Sequence, residues 1–165
     1  MYKYLFFLFF SFLSAQEPTL ARLQNIYSNE LQGFGIGNYN FYCQPYGVLT
    51  IDTLYKKSSL TSSCKKKIEQ FYKQNKEELF FAQKVLHEGQ LYHIELKKGQ
   101  CILYAKGRDT YAEMLLAKGL AIREPNLQDR VWEKLFYKAQ KEARFRQLGL
   151  WKDEIVKNCL GEIYK

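Results

Sequence analysis

Apolar and polar positions change their period several times along the chain. Residues 19–54 alternate in short runs. "FGIGNYNFY" sets glycine and asparagine turn signals among aromatics, and "YGVLTIDTL" is a β-branched run containing an acid. That pattern predicts two or three strands. From Leu60 the period lengthens. Leu60, Cys64, Ile68, Phe71, Tyr72 and Leu79 fall at helical spacing, with Lys65, Lys66, Lys67 and Lys73 largely on the other side. The spacing predicts a helix from Leu60 to Val85 or Leu86, ended by Gly89. "QLYHIEL" and "CILYAKG" around "KKGQ" then predict a hairpin over 91–105.

Past Gly107, "RDTYAEMLLAKG" reads as a short helix capped by Asp109 or Thr110, with Glu113 in its first turn and Gly119 as its stop. "LAI" returns to extended chain. Asn126, just after Pro125, is the expected cap of a final helix. In that helix Val131, Leu135, Ala139 and Ala143 recur every four residues, with Trp132 and Phe136 on an adjacent stripe, and this set is the expected buried face. Arg130, Lys134, Lys138, Lys141, Arg144 and Arg146 make the remainder basic. The helix is expected to stop at "QLGLW", with Gly149 as cap and Leu150 and Trp151 folding back onto the core. Sheet residues split around a helix predict an α+β domain with a small barrel and about three flanking helices.

Composition adds an export signal and a sign of charge. In "MYKYLFFLFFSFLSA", Lys3 precedes an apolar run from Leu5 to Leu13, and Ser14-Ala15 offers small residues for cleavage. This is the pattern of a secretory signal peptide over 1–15, too short to span a bilayer comfortably. The domain then occupies 16–151 and a tail 152–165, with secretion or a periplasmic location expected and no membrane span after leader removal. The net charge is +8, or +7 once Lys3 leaves with the leader, which favours anionic partners. The four cysteines, Cys43, Cys64, Cys101 and Cys159, form no CxxC pair, so zinc-ligand spacing is absent. In an exported chain four cysteines favour two disulfides, with the pairing open and Cys159 expected to tie the tail to the body.

The second half carries a resemblance. "LYAKG", "AEMLLAKGLA", "EPN" and "EKLFYKAQKEARFRQLGLW", in that order over about residues 91–151, resemble the staphylococcal nuclease (thermonuclease) family. The resemblance implies an OB-fold barrel flanked by helices and, in active members, calcium-dependent hydrolysis of DNA and RNA phosphodiesters. That chemistry asks for carboxylates around a hard cation, a carboxylate to activate water and two arginines to clamp the phosphoryl group.

Matched to the family pattern, "LTIDTL" makes Asp52 the catalytic and metal-binding acid, with Thr53 beside it. The first metal-binding acid has no counterpart, since no Asp stands between Gln16 and Asp52. The Pro-Glu that usually follows is Leu54-Tyr55. The place of the first arginine is Gly47, and no arginine occurs between Arg22 and Arg108. Lys97 or Lys98 falls nearest the second, offering charge without the planar fork of a guanidinium. The stretch between "GLA" and "PN" is shortened to Ile122-Arg123-Glu124, where relatives carry nucleotide-facing tyrosines.

The expected function is therefore nucleic-acid binding with a degraded catalytic site. Lys97, Lys98, Tyr92 and Tyr104 are the expected contacts, and Tyr39, Phe41 and Tyr42 are further strand aromatics. Two alternatives stay open. One is an active nuclease with an altered calcium site, Asp52 being helped by Glu95 or Glu30. The other is a cell-envelope domain that binds a protein partner. A monomer is expected in each case.

Overall fold

A computed structural model describes residues 18–56 and 60–163, and the leader read at 1–15 lies outside them. The described chain is α+β. Strands β1 (Thr19–Ile26), β2 (Gln32–Ile36), β3 (Tyr39–Cys43) and β4 (Val48–Thr50) come first, followed by helices α1 (Ile51–Lys56), α2 (Ser62–Gln74), α3 (Lys76–Leu79) and α4 (Phe81–Val85). The hairpin β5 (Leu91–Lys97) and β6 (Gln100–Lys106) follows, then β7 (Asp109–Thr110), α5 (Tyr111–Ala117), β8 (Ala121–Arg123), α6 (Arg130–Phe145), a 3-10 turn (Gly149–Trp151) and α7 (Asp153–Ile163).

Six strands form one antiparallel sheet in the order β3-β2-β1-β5-β6-β7, and β4 pairs with β8 as a separate ribbon. The expected closed barrel is not found. The two sides of the sheet instead meet at one parallel bridge between Pro45 and Cys101, where Tyr46 donates to the Cys101 carbonyl at 2.9 Å and Cys101 donates to Gln44 at 2.8 Å. The Cys43–Cys101 disulfide fastens this clasp. The ladder does not continue past it, because Gly47 turns the chain into β4 and toward β8.

Alternation sets the core. Ala21, Leu23, Phe34, Ile94 and Ile102 point inward, where they join one cluster with Tyr111, Leu115 and Leu116 of α5. The hairpin turn is Lys98-Gly99, both at positive φ (51° and 77°), the pair of conformations that matches strand twist. Thr110 caps α5 in a full capping box with Glu113.

Several expectations are corrected. "LTIDTL" is not one strand. Thr50 Oγ1 accepts from the Thr53 amide at 3.1 Å, turning the chain into α1, so Asp52 stands in a helix's first turn. The helix expected over 60–86 is three pieces. Asn75 donates both its backbone and side-chain N–H to the Phe71 carbonyl at 2.9 Å, which ends α2. Buried Asn29 then donates to Glu78 O and accepts from Ala82 N, each at 2.8 Å, holding the break between α3 and α4. With α1 and α7 added, the described residues hold seven α-helices and not about three.

Asp129, not Asn126, caps α6, because its carboxylate accepts from the Val131 and Trp132 amides. The buried face of α6 is Phe136, Gln140 and Ala143, with Trp132 and Ala139 half-buried, whereas Val131 and Leu135 face solvent. The C-cap of α6 is Arg146, not Gly149, and both Gln147 just after it and Gly149 are left-handed. Leu150 and Trp151 do fold back and are buried. The tail is helical as α7 and is tied to α2 by Cys64–Cys159. Two disulfides fit an oxidising compartment. Among the described residues no helix is long and apolar enough to cross a membrane.

Gly119 (φ +69°) and Gly149 (φ +52°) face each other backbone to backbone. A Cβ on Gly119 would overlap the Leu148 carbonyl oxygen, and one on Gly149 the Gly119 oxygen. Gly119→Ala is therefore expected to lower unfolding free energy by about 3 kcal/mol or more, from steric overlap added to backbone strain. Gly37→Ala shares a positive φ (57°) but meets nothing within 4 Å, and is expected to cost only about 1 kcal/mol. Urea unfolding of both variants separates the two terms. Equal losses would mean that the glycine contact carries no weight of its own.

Candidate functional site

Asp52 sits at the junction of two clefts. One, of about 320 Å³, is lined by Asp52, Tyr55, Ile68, Glu69, Tyr72, Lys73 and Leu79. The other, of about 350 Å³, shares Asp52, Tyr55 and Leu79 and adds Tyr27, Ser28, Lys56, Phe80 and Gln83. The local fold explains the placement. The Ile51 amide donates to the Leu120 carbonyl at 2.9 Å, anchoring the first residue of α1, and the next residue turns its carboxyl toward α2. There the Tyr72 hydroxyl donates to Asp52 Oδ1 at 3.1 Å.

Burial raises the Asp52 carboxyl above the ordinary aspartate value, the Tyr72 hydrogen bond pulls it down, nearby Glu30 raises it and Lys56 lowers it, with a net upward shift. Burial and the Asp52 charge in turn drive the Tyr72 phenol far above its usual range. Asp52 and Glu30 are thus close enough to repel, but Glu30 is already engaged. Lys56 Nζ lies 3.1 Å from Glu30 Oε2, and Gln44 donates to Glu30 Oε1 at 3.4 Å. The lysine ammonium neutralises the second carboxylate from within the chain.

Calcium takes six to eight oxygen ligands. The residues present do not fit it. The Thr53 hydroxyl is shared with Thr50 Oγ1 at 3.0 Å, Glu30 is held by Lys56, and Asp52 faces a phenol. Among the described residues no group of three or more His, Cys, Asp or Glu is placed to hold a metal ion. No arginine lines either cleft. At the place of the first arginine, Gly47 has φ +68°, and a Cβ there would lie 3.0 Å from Leu127 and 3.1 Å from Phe136. A long side chain is excluded from that position by packing.

The expected nucleic-acid contacts do not converge. Tyr92 is buried, accepting from the His87 amide at 2.8 Å and donating to Gln90 at 3.2 Å. Tyr104 is half-buried and donates to Glu95 at 2.5 Å, which also turns Glu95 to a partner of its own. Lys97 is ion-paired with Asp129 and lies over the Tyr46 ring, so it ties the hairpin to the start of α6. Lys98, at the hairpin turn, is exposed. Of the strand aromatics, Phe41 packs against the core while Tyr39 and Tyr42 face solvent. Tyr42 meets Tyr27 edge to face, and the Tyr27 ring covers Gly33.

Sequence reasoning missed Lys56 and Tyr72 as neighbours of Asp52. Lys56 stands four residues after Asp52, the spacing of one helix face, and that was its signal. Tyr72 reads as core by periodicity, and only the fold shows its hydroxyl aimed at a carboxylate.

A different surface concentrates charge. On α6, Arg130, Lys134, Lys138 and Lys141 follow helical spacing on the outward side, above a depression of about 740 Å³ that Val131, Leu135 and Tyr137 also line. The helix's own acids have other partners: Glu133 pairs with Arg123 at 3.3 Å, and the exposed Glu142 pairs with Arg146 one turn on at 3.7 Å. Asp129 is taken by Lys97. Among the described residues none of the salt bridges involves the four outward cations.

No protein-family model matches the chain and no curated protein matches it. The fold and surface define an α+β domain held by two disulfides, with a self-neutralised carboxylate cleft and a separate basic helix face.

The Asp52 geometry has a measurable consequence. Because burial raises the folded carboxyl, the folded state holds this proton to higher pH than the unfolded chain does. Stability is then lost as pH rises from the ordinary value of 3.8 through the folded value. Asp52→Asn keeps an acceptor for Tyr72 and has no charge to bury. It is expected to be more stable than the parent at neutral pH and to lose that advantage in acid. Identical urea midpoints for the two proteins at neutral pH would contradict this assignment.

Proposed function

We propose that the chain is an exported, non-catalytic binding domain for phosphodiester polyanions, built on an open OB-type sheet of the thermonuclease kind. The strand order β3-β2-β1-β5-β6 and the parallel clasp at Pro45–Cys101 support the OB-type reading. The carrying observation is the row of outward cations on α6, Arg130, Lys134, Lys138 and Lys141, none of which is ion-paired among the described residues, the helix's Glu133 and Glu142 being paired with Arg123 and Arg146. Clustered ammonium and guanidinium groups attract phosphate oxygens and release counterions from them. Nucleic acid is the phosphodiester polymer that the thermonuclease resemblance implies.

Hydrolysis would need a clamp for charge developing on the phosphoryl oxygens. The Asp52 clefts have no guanidinium, and Lys56 is already engaged with Glu30. Binding and the family's acid are therefore on separate parts of the surface, which favours retention of the polymer without cleavage.

The test uses single-stranded DNA and supercoiled plasmid with calcium or chelator. Intact DNA is expected in every lane, with binding at low salt that falls steeply as salt rises. Lys134→Glu with Lys138→Glu is expected to weaken binding about ten-fold or more. Calcium-dependent cleavage lost in Asp52→Asn would overturn the non-catalytic part. Binding indifferent to both salt and the charge reversal would overturn the assignment to α6.

A further inference from the structure

The outward face of α6 is not only basic. Phe145 is 87% exposed and Val131 66%, and Leu135 and Tyr137 are exposed as well. Their positions follow from the helical period. Lys134, Lys138 and Lys141 form the middle of the outward side, Phe145 ends that row, and Val131 and Leu135 flank it one turn apart. The opposite side is fixed to the domain by Phe136, Gln140 and Ala143. The helix thus presents aliphatic and aromatic groups among four cations that form no salt bridge among the described residues, with the exposed Glu142–Arg146 pair toward its C-terminal end, and has its other face already used.

We infer that this face of α6 docks on an anionic phospholipid bilayer surface, with the lysines at the phosphate level and Phe145, Val131 and Leu135 in the outer acyl boundary. The inference rests on the polyanion reading and names its partner. Phosphate groups are common to lipid headgroups and nucleic acid, so the charges alone do not choose. The aliphatic side chains do. Val131 and Leu135 cannot stack on bases, and a phosphate backbone laid over the lysines would leave them in water. At a headgroup interface the same groups leave water while the lysine ammoniums stay with the phosphates. At 16 residues, or roughly 24 Å, α6 lies along the surface and does not traverse it.

The experiment is flotation of the chain beginning at Gln16, which keeps every residue of the buried core but not the apolar leader. Vesicles are phosphatidylcholine alone or equimolar phosphatidylcholine and phosphatidylglycerol. Binding is expected to the anionic vesicles and not to the neutral ones. Each reversed lysine is expected to reduce it by roughly five-fold or more. Val131→Ser with Phe145→Ser, both at exposed positions, is expected to lose at least about ten-fold in vesicle affinity while DNA binding is unchanged. In Phe145→Trp, anionic vesicles are expected to shift the added emission to the blue. Equal vesicle affinity of parent and double-serine variant, or absence from anionic vesicles with salt-sensitive DNA binding retained, would overturn the inference and leave the polyanion reading standing. Failure to bind both vesicles and DNA would overturn the reading itself.

Discussion

The backbone contact between Gly119 and Gly149 fixes the relation of the helices to the sheet. Two residues without Cβ let the end of α5 lie against the turn that follows α6, and the Leu150 amide donates to the Gly119 carbonyl at 2.8 Å. The next residue carries the constraint onward. The Leu120 amide returns to Leu115 while its carbonyl accepts from Ile51, which starts α1. The direction of Asp52 therefore depends on a steric allowance some seventy residues away in sequence. The same contact buries Leu150 and Trp151 and brings α7 to the position where Cys159 meets Cys64. Backbone approach of this kind is intolerant of even one methyl group, because neither partner is a side chain able to turn aside.

Charge is distributed by a similar economy of position. The acids near the outward cations of α6 have partners of their own: Asp129 is held by Lys97 and Glu133 by Arg123 through the fold, and Glu142 pairs with Arg146 one turn on at the end of the same helix. Asp129 illustrates the balance. Burial pushes its carboxyl upward, yet the Lys97 ammonium and the amides of Trp132 and Val131 outweigh burial and hold it below the usual range. It stays ionised as a helix cap and is unavailable to the outward cations. In the Asp52 clefts, which share no lining residue with the α6 depression, the pairing is reversed in sense, since a lysine occupies the company of the acids. Two surfaces of different character thus arise from one basic chain: a cleft in which Lys56 compensates Glu30, and a helix face whose lysines are in no salt bridge among the described residues.

Local signals in the sequence identified the parts whose cause is local. The Lys98-Gly99 hairpin turn, the Thr110–Glu113 capping box and the Gly119 stop all lie within a few residues of their partners. The cysteines announced two bridges, but the pairing needed the sheet clasp and the packing of α7 on α2. What periodicity could not supply was competition from distant groups. Asn29 holds a helix break more than forty residues downstream, and the cap of α6 is Asp129, which Lys97 of the distant hairpin also binds. The candidate site was legible in the same measure. Asp52 is recognisable in "LTIDTL", and Glu30 could be named as a nearby acid, but Lys56 against Glu30 and Tyr72 against Asp52 exist only after α1 and α2 have packed.

The most informative departure is the rotation of α6. Val131, Leu135, Ala139 and Ala143 satisfy an i, i+4 rule as well as any core stripe, and Trp132 and Phe136 satisfy it alongside them. The two stripes overlap at Ala139 and Ala143, which face inward with the rings, whereas Val131 and Leu135 lie at the far edge of the first stripe and do not. The domain turns the side with the larger rings inward: Phe136 lies in the core, Trp132 packs against it, and Gln140 accepts from the Arg123 amide at 2.8 Å. Burial of aromatic area outweighs burial of two smaller aliphatic side chains. Of the aliphatic stripe Ala139 and Ala143 pack inward with the rings, and Val131 and Leu135 are left outside among the cations, as exposed apolar groups beside charge. A sequence that carries two apolar stripes and fills the ground beside the exposed end of one with lysine and arginine is written for two surfaces. The first is the core, and the second is the exposed face of α6, the one proposed to meet an anionic bilayer.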